Sequence, residues 1–201
     1  MPRPSNTAER RAEIVDGFLS VMSREGYERA TILKAARAAG LSPGLVHYHF
    51  ADKEAVLVAL VEQLAAGLSS RVAARLAAAG DHPRRRVHAI VDALVAKDDD
   101  ADPRAVAAWV VVGAEAVREP AVRAPYAAAL AALFAQLETE IASLLRSEGK
   151  SPRRAKGIAA ALLVAFEGAF QVSATAPGLL PDGFAAKALR PVVDALVESP
   201  S

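Results

Sequence analysis

The chain has 201 residues, no cysteine, and a formal net charge of +1 from 24 Lys/Arg and 23 Asp/Glu. Disulfides, thiolate metal sites and cysteine nucleophiles are thereby excluded, and a hydrophobic fraction of 53% with only 5% aromatics favours an alanine-rich helical core over sheets or disorder. The overall charge points to no nucleic-acid partner, but its distribution is uneven: no Asp or Glu occurs from Arg29 through Ala51, a window that holds Lys34, Arg37, His47, Tyr48 and His49.

The first residues, M-P-R-P-S-N-T-A-E-R-R, lack the apolar run of a secretory signal. They read as a loose arm, with Arg3 placed to reach a polyanion or simply solvated. No stretch reads as apolar and long enough to span a bilayer; residues 157–172 come nearest and are interrupted by Glu167. The expectation is a cytoplasmic protein with no membrane partner.

A first helix is expected from about Asn6, with Glu9 three residues on in a capping-box arrangement. Ile14, Val15, Phe18, Leu19 and Met22 share one face at helical spacing, and Gly26 ends the helix. Thr31 is an N-cap for a second helix whose Ile32, Ala35, Ala36 and Ala39 make a face small enough for close packing. Gly40 supplies a left-handed turn and Leu41 anchors it. Ser42 caps a third helix over 43–50, with Pro43 at the first position, where its missing N–H costs nothing. Leu45, Val46 and Phe50 are expected inward, and Gly44, His47 and Tyr48 outward.

Asp52 caps a long fourth helix running to about Ala79, with Lys53 and Glu54 in its first turn. Prolines at 83, 103, 120 and 152 mark later starts, giving helices near 83–97, 103–118, 120–147, 152–175 and 182–198, with the acidic D-D-D-A-D-P run at 98–103 as a loop. The reading is all-α, about nine helices, without strands. It divides into a three-helix helix-turn-helix segment over 1–52 and a helical body over 53–201 that carries, pairs and controls it, the helix near 53–79 connecting them.

From Ala30 to Leu57 the pattern A-T-I-x-x-A-A-x-x-A-G-L-S-x-G-x-V-x-Y-H-F-x-D-K-E-x-x-L resembles the TetR family of transcriptional regulators. The segment A-A-W-V-V-V-G-A-E-A-V-R-E-P, Tyr126 and the L-F-A-Q-L-E-T-E-I run resemble the C-terminal domain of the BetI-like, choline-responsive subgroup. An A-x-x-D-G element of that subgroup finds its nearest match at Val164–Gly168, with Val for Ala and Glu for Asp. The resemblance implies a ligand-responsive regulator, acting as a repressor, that binds a palindromic operator as a homodimer, is released by a small-molecule effector of unknown identity, needs no cofactor and is not an enzyme.

Carried over residue by residue, it places Ser42, Pro43, Gly44, His47, Tyr48 and His49 on a recognition helix in the major groove, and Thr31, Lys34 and Lys53 at phosphates. His47 stands where many relatives have Tyr, so base preference there is not transferable. The physical reasons agree. A short helix fits the groove with its N-terminal side chains at base edges, Gly44 lets the backbone approach, and a helix start offers phosphate free N–H groups beside the lysine charge.

Plainer readings stand beside these. Tyr48 and His49 can simply finish a small bundle. His47 and His49, two apart, point to different sides of a helix and do not share a metal; Asp98, Asp99, Asp100 and Asp102 read as a solvated cap, and Arg84, Arg85 and Arg86 as a solvated helix start. Trp109, Tyr126, Phe166, Phe170 and Gln171 are the candidates for an effector site, where aromatic faces would attract a quaternary amine, although each aromatic is also an ordinary core residue. The small-residue face Gly157, Ala161, Val164 and Gly168, with Leu189, Val192, Val193 and Leu196 on the last helix, suits a four-helix dimer contact or an internal core. The alternative function is an all-α small-molecule-binding or enzymatic bundle without DNA binding.

Overall fold

A computed structural model describes residues 6–95, 103–179, 181 and 184–199; the arm with Arg3, the acidic run 98–102 and the ends expected at 96–97 and 182–183 lie outside them. Among the described residues nine α-helices follow in order: α1 (Asn6–Glu25), α2 (Ile32–Ala38), α3 (Pro43–His49), α4 (Lys53–Ala79), α5 (Pro83–Val95), α6 (Pro103–Arg118), α7 (Pro120–Ser147), α8 (Ala155–Thr175) and α9 (Phe184–Glu198). Pro152–Arg154 forms a single 3₁₀ turn ahead of α8, where an α-helical start was expected. No strand occurs among the described residues.

Two compact units share these helices. One holds α1 to α3, α4 up to Ala65, α6, and α7 through Ala127; the other holds α4 from Ala66, α5, α7 from Ala128, α8 and α9. This grouping differs from a division after residue 52. The buried Ala108, Val112 and Ala116 of α6 and Val122 of α7 belong to the same core as Ile14, Phe18 and Met22 of α1.

In the first unit the expected inward face of α1 is buried: Ile14, Val15, Phe18, Leu19 and Met22 lie in the core with Val46, Phe50, Leu57 and Leu60. Removing each large side chain from water contributes about 1.5–3 kcal/mol. The approach of α2 to α1 depends on Gly17, a residue without an evident role in the sequence pattern. A Cβ there would stand 2.6 Å from the Ala35 carbonyl oxygen and 3.0 Å from Ala39 Cβ. Small residues on both helices are therefore required.

The second unit is centred on Leu137, Ile141, Leu144 and Leu145 of α7, Ile90 and Val91 of α5, Leu162 and Phe166 of α8, and Val193 and Val197 of α9. The three arginines at the start of α5 are not uniformly solvated. Arg84 is paired with Glu148 and, at 2.5 Å, with Asp194, and Arg86 holds the buried Glu140 through two hydrogen bonds of 2.7 Å. Only Arg85 is exposed as expected. Charge along a helix start is read from composition, but acidic partners 54 to 110 positions away leave no local trace.

One expectation is corrected. By length and composition, Lys53–Ala79, Pro120–Ser147 and Pro152–Thr175 are each apolar and long enough to cross a membrane. Alanine is the reason: it raises mean hydropathy across a window without the large side chains that mark a span to the eye. Glu167 does not prevent it, since one charge leaves the window apolar.

Candidate nucleic-acid interface

The geometry of the α2–α3 corner follows from local chemistry. Thr31 is extended at φ −105°, ψ 158°, and its hydroxyl accepts the Lys34 N–H at 3.3 Å. The end of α2 closes with Gly40 at φ +68°, the Leu41 N–H donating to the Ala36 carbonyl at 2.8 Å and the Gly40 N–H to that of Arg37 at 3.2 Å. That paired closure needs a left-handed residue, which glycine adopts without a Cβ clash. Ser42 then caps α3 through a 3.3 Å bond from the Leu45 N–H, and Asp52 caps α4 through a 2.8 Å bond from the Ala55 N–H. In these caps the Thr31 and Ser42 hydroxyls act as acceptors.

These caps fix which face of α3 is inside. Val46 and Phe50 are buried and Leu45 half-buried, while Ser42, Pro43, Gly44, His47 and Tyr48 are exposed, as the sequence pattern indicates. Tyr48 is 79% exposed, its ring meeting the edge of the half-buried His49 ring at 5.0 Å between centroids. A Cβ added at Gly44 would meet nothing within 4 Å, so nothing inside the chain requires glycine there.

The lysines are engaged within the unit. Lys34 Nζ lies 2.5 Å from Glu25 Oε2, and the Glu25 carboxyl is held below the usual carboxylate range chiefly by that hydrogen bond. Lys53 Nζ sits 3.8 Å from the centroid of the Tyr27 ring and donates to the Glu28 carbonyl at 3.4 Å. Tyr27 is half-buried, and burial with the nearby carboxylates of Glu115, Glu54, Glu119 and Glu28 pushes its phenol up to about 12. Cation–π attraction thus fixes the start of α4 beside the end of α1.

Two contributors were missed by sequence reasoning. Arg11 on α1 donates to the His49 carbonyl at 2.6 Å and stacks its guanidinium 4.1 Å from the Phe50 ring centroid. A seven-residue helix leaves most of its last carbonyls without intrahelical donors, and a cation at its C-terminus is favourable; Arg11 supplies both needs. Gly17, described above, sets the depth of α2. Neither partner is near in sequence, so local spacing carries no signal for either.

The matching family models decide the class of protein. Residues 14–60 match the model described as bacterial regulatory proteins, tetR family, and residues 83–199 match BetI-type transcriptional repressor, C-terminal. The chain belongs to the TetR family. It is a TetR-family transcriptional regulator with a BetI-type C-terminal region, and not an enzyme. HTH-type transcriptional regulator BetI of Burkholderia thailandensis is 28% identical over 199 residues, 98% of each chain. That of Serratia proteamaculans is 30% identical over 161 residues, 80% of each, and that of Rhizobium meliloti 37% over 123 residues, 61% of this chain and 60% of its own. Among solved structures, a transcriptional regulator from Rhodococcus has a TM-score of 0.82 at 21% identity, covering 94% of this chain and 96% of its own. A regulator from Saccharomonospora viridis, solved in complex with choline, has a TM-score of 0.77 at 21% identity, covering 95% and 96%.

Of the effector candidates in this TetR-family chain, Trp109 and Tyr126 lie in the first unit, their ring centroids 4.6 Å apart and planes tilted by 37°. Gly113, one turn beyond Trp109 on α6, makes room for the pair: a Cβ there would be 3.0 Å from the Tyr126 hydroxyl. Phe166, Phe170 and Gln171 belong to the second unit. Phe166 is fully buried in its core, Phe170 is half-buried against that core, and Gln171 is exposed. No group of three or more His, Asp or Glu able to hold a metal occurs among the described residues.

Proposed function

We propose that α3 is the recognition helix, with Ser42, Pro43, Gly44, His47, Tyr48 and His49 toward the major groove and Thr31, Lys34 and Lys53 toward phosphates. The observation that carries this reading is the outer face of α3. It holds a glycine with open space around it and a tyrosine that is 79% exposed, neither of which the interior needs, and it begins at the capping hydroxyl of Ser42. Residues 1–52 form the DNA-reading segment and 53–201 the control and pairing segment, and the protein works in the cytoplasm, where it meets DNA.

The active form is a homodimer. The exposed side of α8 carries Gly157, Ala161, Val164 and Gly168, with Val164 73% exposed, and α9 adds Val192 at 46%. Added Cβ atoms at Gly157 and Gly168 would meet nothing within 4 Å. Such a surface is flat enough for α8 and α9 to meet the same helices of a second copy about a two-fold axis. Two recognition helices then read half-sites of a palindrome roughly 34–36 Å apart.

The effector is a small quaternary amine. The tilted pair formed by the buried Trp109 and the half-buried Tyr126 is of the aromatic kind that attracts such a cation, and the choline-bound Saccharomonospora viridis regulator supports the choice. Binding favours dimers whose reading heads are wrongly spaced, which releases the operator. Duplexes selected by the protein from a randomised library supply the test. Tyr48→Ala and Lys53→Ala should each bind the selected duplex at least tenfold more weakly, choline should release the wild type, and Trp109→Ala should resist release. Undiminished binding by both head variants sinks the DNA assignment; release unaffected by choline sinks the effector.

A further inference from the structure

Lys34 stands in the first turn of α2, beside the Thr31 cap, yet its ammonium already has an anion. Glu25, in the last turn of α1, lies 2.5 Å from it, and both side chains remain reachable at 37% and 41% exposure. Arg24 and Arg29 are the other cations acting on Glu25. The window from Arg29 to Ala51 has no acid of its own, so the carboxylate that intrudes on it comes from the preceding helix through the fold.

We infer that Glu25 is an intramolecular counter-charge to Lys34 that holds down the affinity of this protein for DNA of any sequence. The inference rests on the reading of Lys34 as a phosphate contact. A phosphate reaching that ammonium displaces the carboxylate and then lies close to it. Binding exchanges one anion for another at Lys34, and the freed Glu25 takes up a cation from solution. Lys34 therefore releases no net counterion when DNA binds, although a lysine–phosphate contact ordinarily contributes roughly 0.9 to the salt slope. Phosphate contacts carry no sequence information, so the effect falls equally on operator and random DNA. The device sets absolute affinity and leaves discrimination to α3.

The test compares wild type, Glu25→Gln, Lys34→Met and the double variant. Fluorescence anisotropy reads binding to the library-selected duplex and to a scrambled duplex of the same length between 50 and 200 mM KCl. Glu25→Gln should bind both duplexes about fivefold more tightly as a dimer near 100 mM KCl, with a salt slope steeper by roughly 0.9 per protomer and an unchanged ratio between duplexes. In the Lys34→Met background the substitution should have no effect. A gain in affinity cannot come from a misfolded head. Equal or weaker binding by Glu25→Gln, or a gain that persists without Lys34, overturns the counter-charge role while leaving the DNA assignment standing. Absence of binding by wild type and Glu25→Gln alike overturns both.

Discussion

The reading head around α2 and α3 and the outer face of α8 and α9 both expose small and apolar residues, but for opposite physical reasons. In the head, exposed groups stand beside local devices, Gly44 excepted. Ser42 and Thr31 cap, Gly40 turns, and Tyr48 projects from a helix whose inner face is fully accounted for by Val46 and Phe50. On α8 the exposed Gly157, Ala161, Val164 and Gly168 have no cap or turn to make. Gly157 and Gly168 weaken a helix by about 0.5–1 kcal/mol each relative to Ala and have open space around them. A chemically specific surface can be read one side chain at a time, whereas a smooth one acquires meaning only from the body that covers it.

Four substitutions or measurements separate the two surfaces, beginning with the largest effect. Val164→Asp should convert the dimer to monomer by light scattering and weaken binding to the selected duplex at least a hundredfold, while the monomer keeps its helical circular dichroism. A dimer that survives removes α8 from the interface. Gly17→Ala should destabilise the first unit by about 2–3 kcal/mol through overpacking against Ala35 and Ala39, seen as a lowered urea midpoint. An unchanged midpoint would mean that α1 and α2 can separate at little cost.

Gly44→Ala should behave in the reverse sense. Stability stays level or rises by about 0.5 kcal/mol, and affinity for the selected duplex falls about tenfold because a methyl group intervenes at the groove. Undiminished affinity would show that the backbone at Gly44 keeps its distance from DNA. The smallest effect is in an ultraviolet pH titration: Tyr27 should ionise near 12, above the ordinary phenol value near 10. Because the folded value lies above the ordinary one near 10, this group's contribution is intact below pH 10 and is lost as pH rises from 10 to 12. Lys53→Met, which removes the cation over the ring, leaves burial and the four carboxylates in place, so the late titration should persist.

Most helix starts and ends were legible because their causes are adjacent in the chain. Thr31, Ser42 and Asp52 bond N–H groups three residues on, and Gly40 needs only its own φ. The outward face of α3 followed from periodicity over eight residues. The exceptions are instructive. Pro152 marked a start correctly in place but opened a 3₁₀ turn, and alanine concealed three helices apolar enough for a membrane. Arg84 and Arg86, read as solvated, bind acids on α7 and α9.

By itself, the sequence determined the helical class, the capped turn, and the residues that the third helix turns outward, since each depends on interactions within one or two turns of backbone. Tertiary structure decided how that head is held and electrically balanced. Arg11 reaches the end of α3 across 38 positions, Lys53 settles on Tyr27, and Glu25 pairs with Lys34. It also placed α6 in the core of the reading unit. Long charged side chains choose partners by proximity in space, and only the packed helices set that proximity.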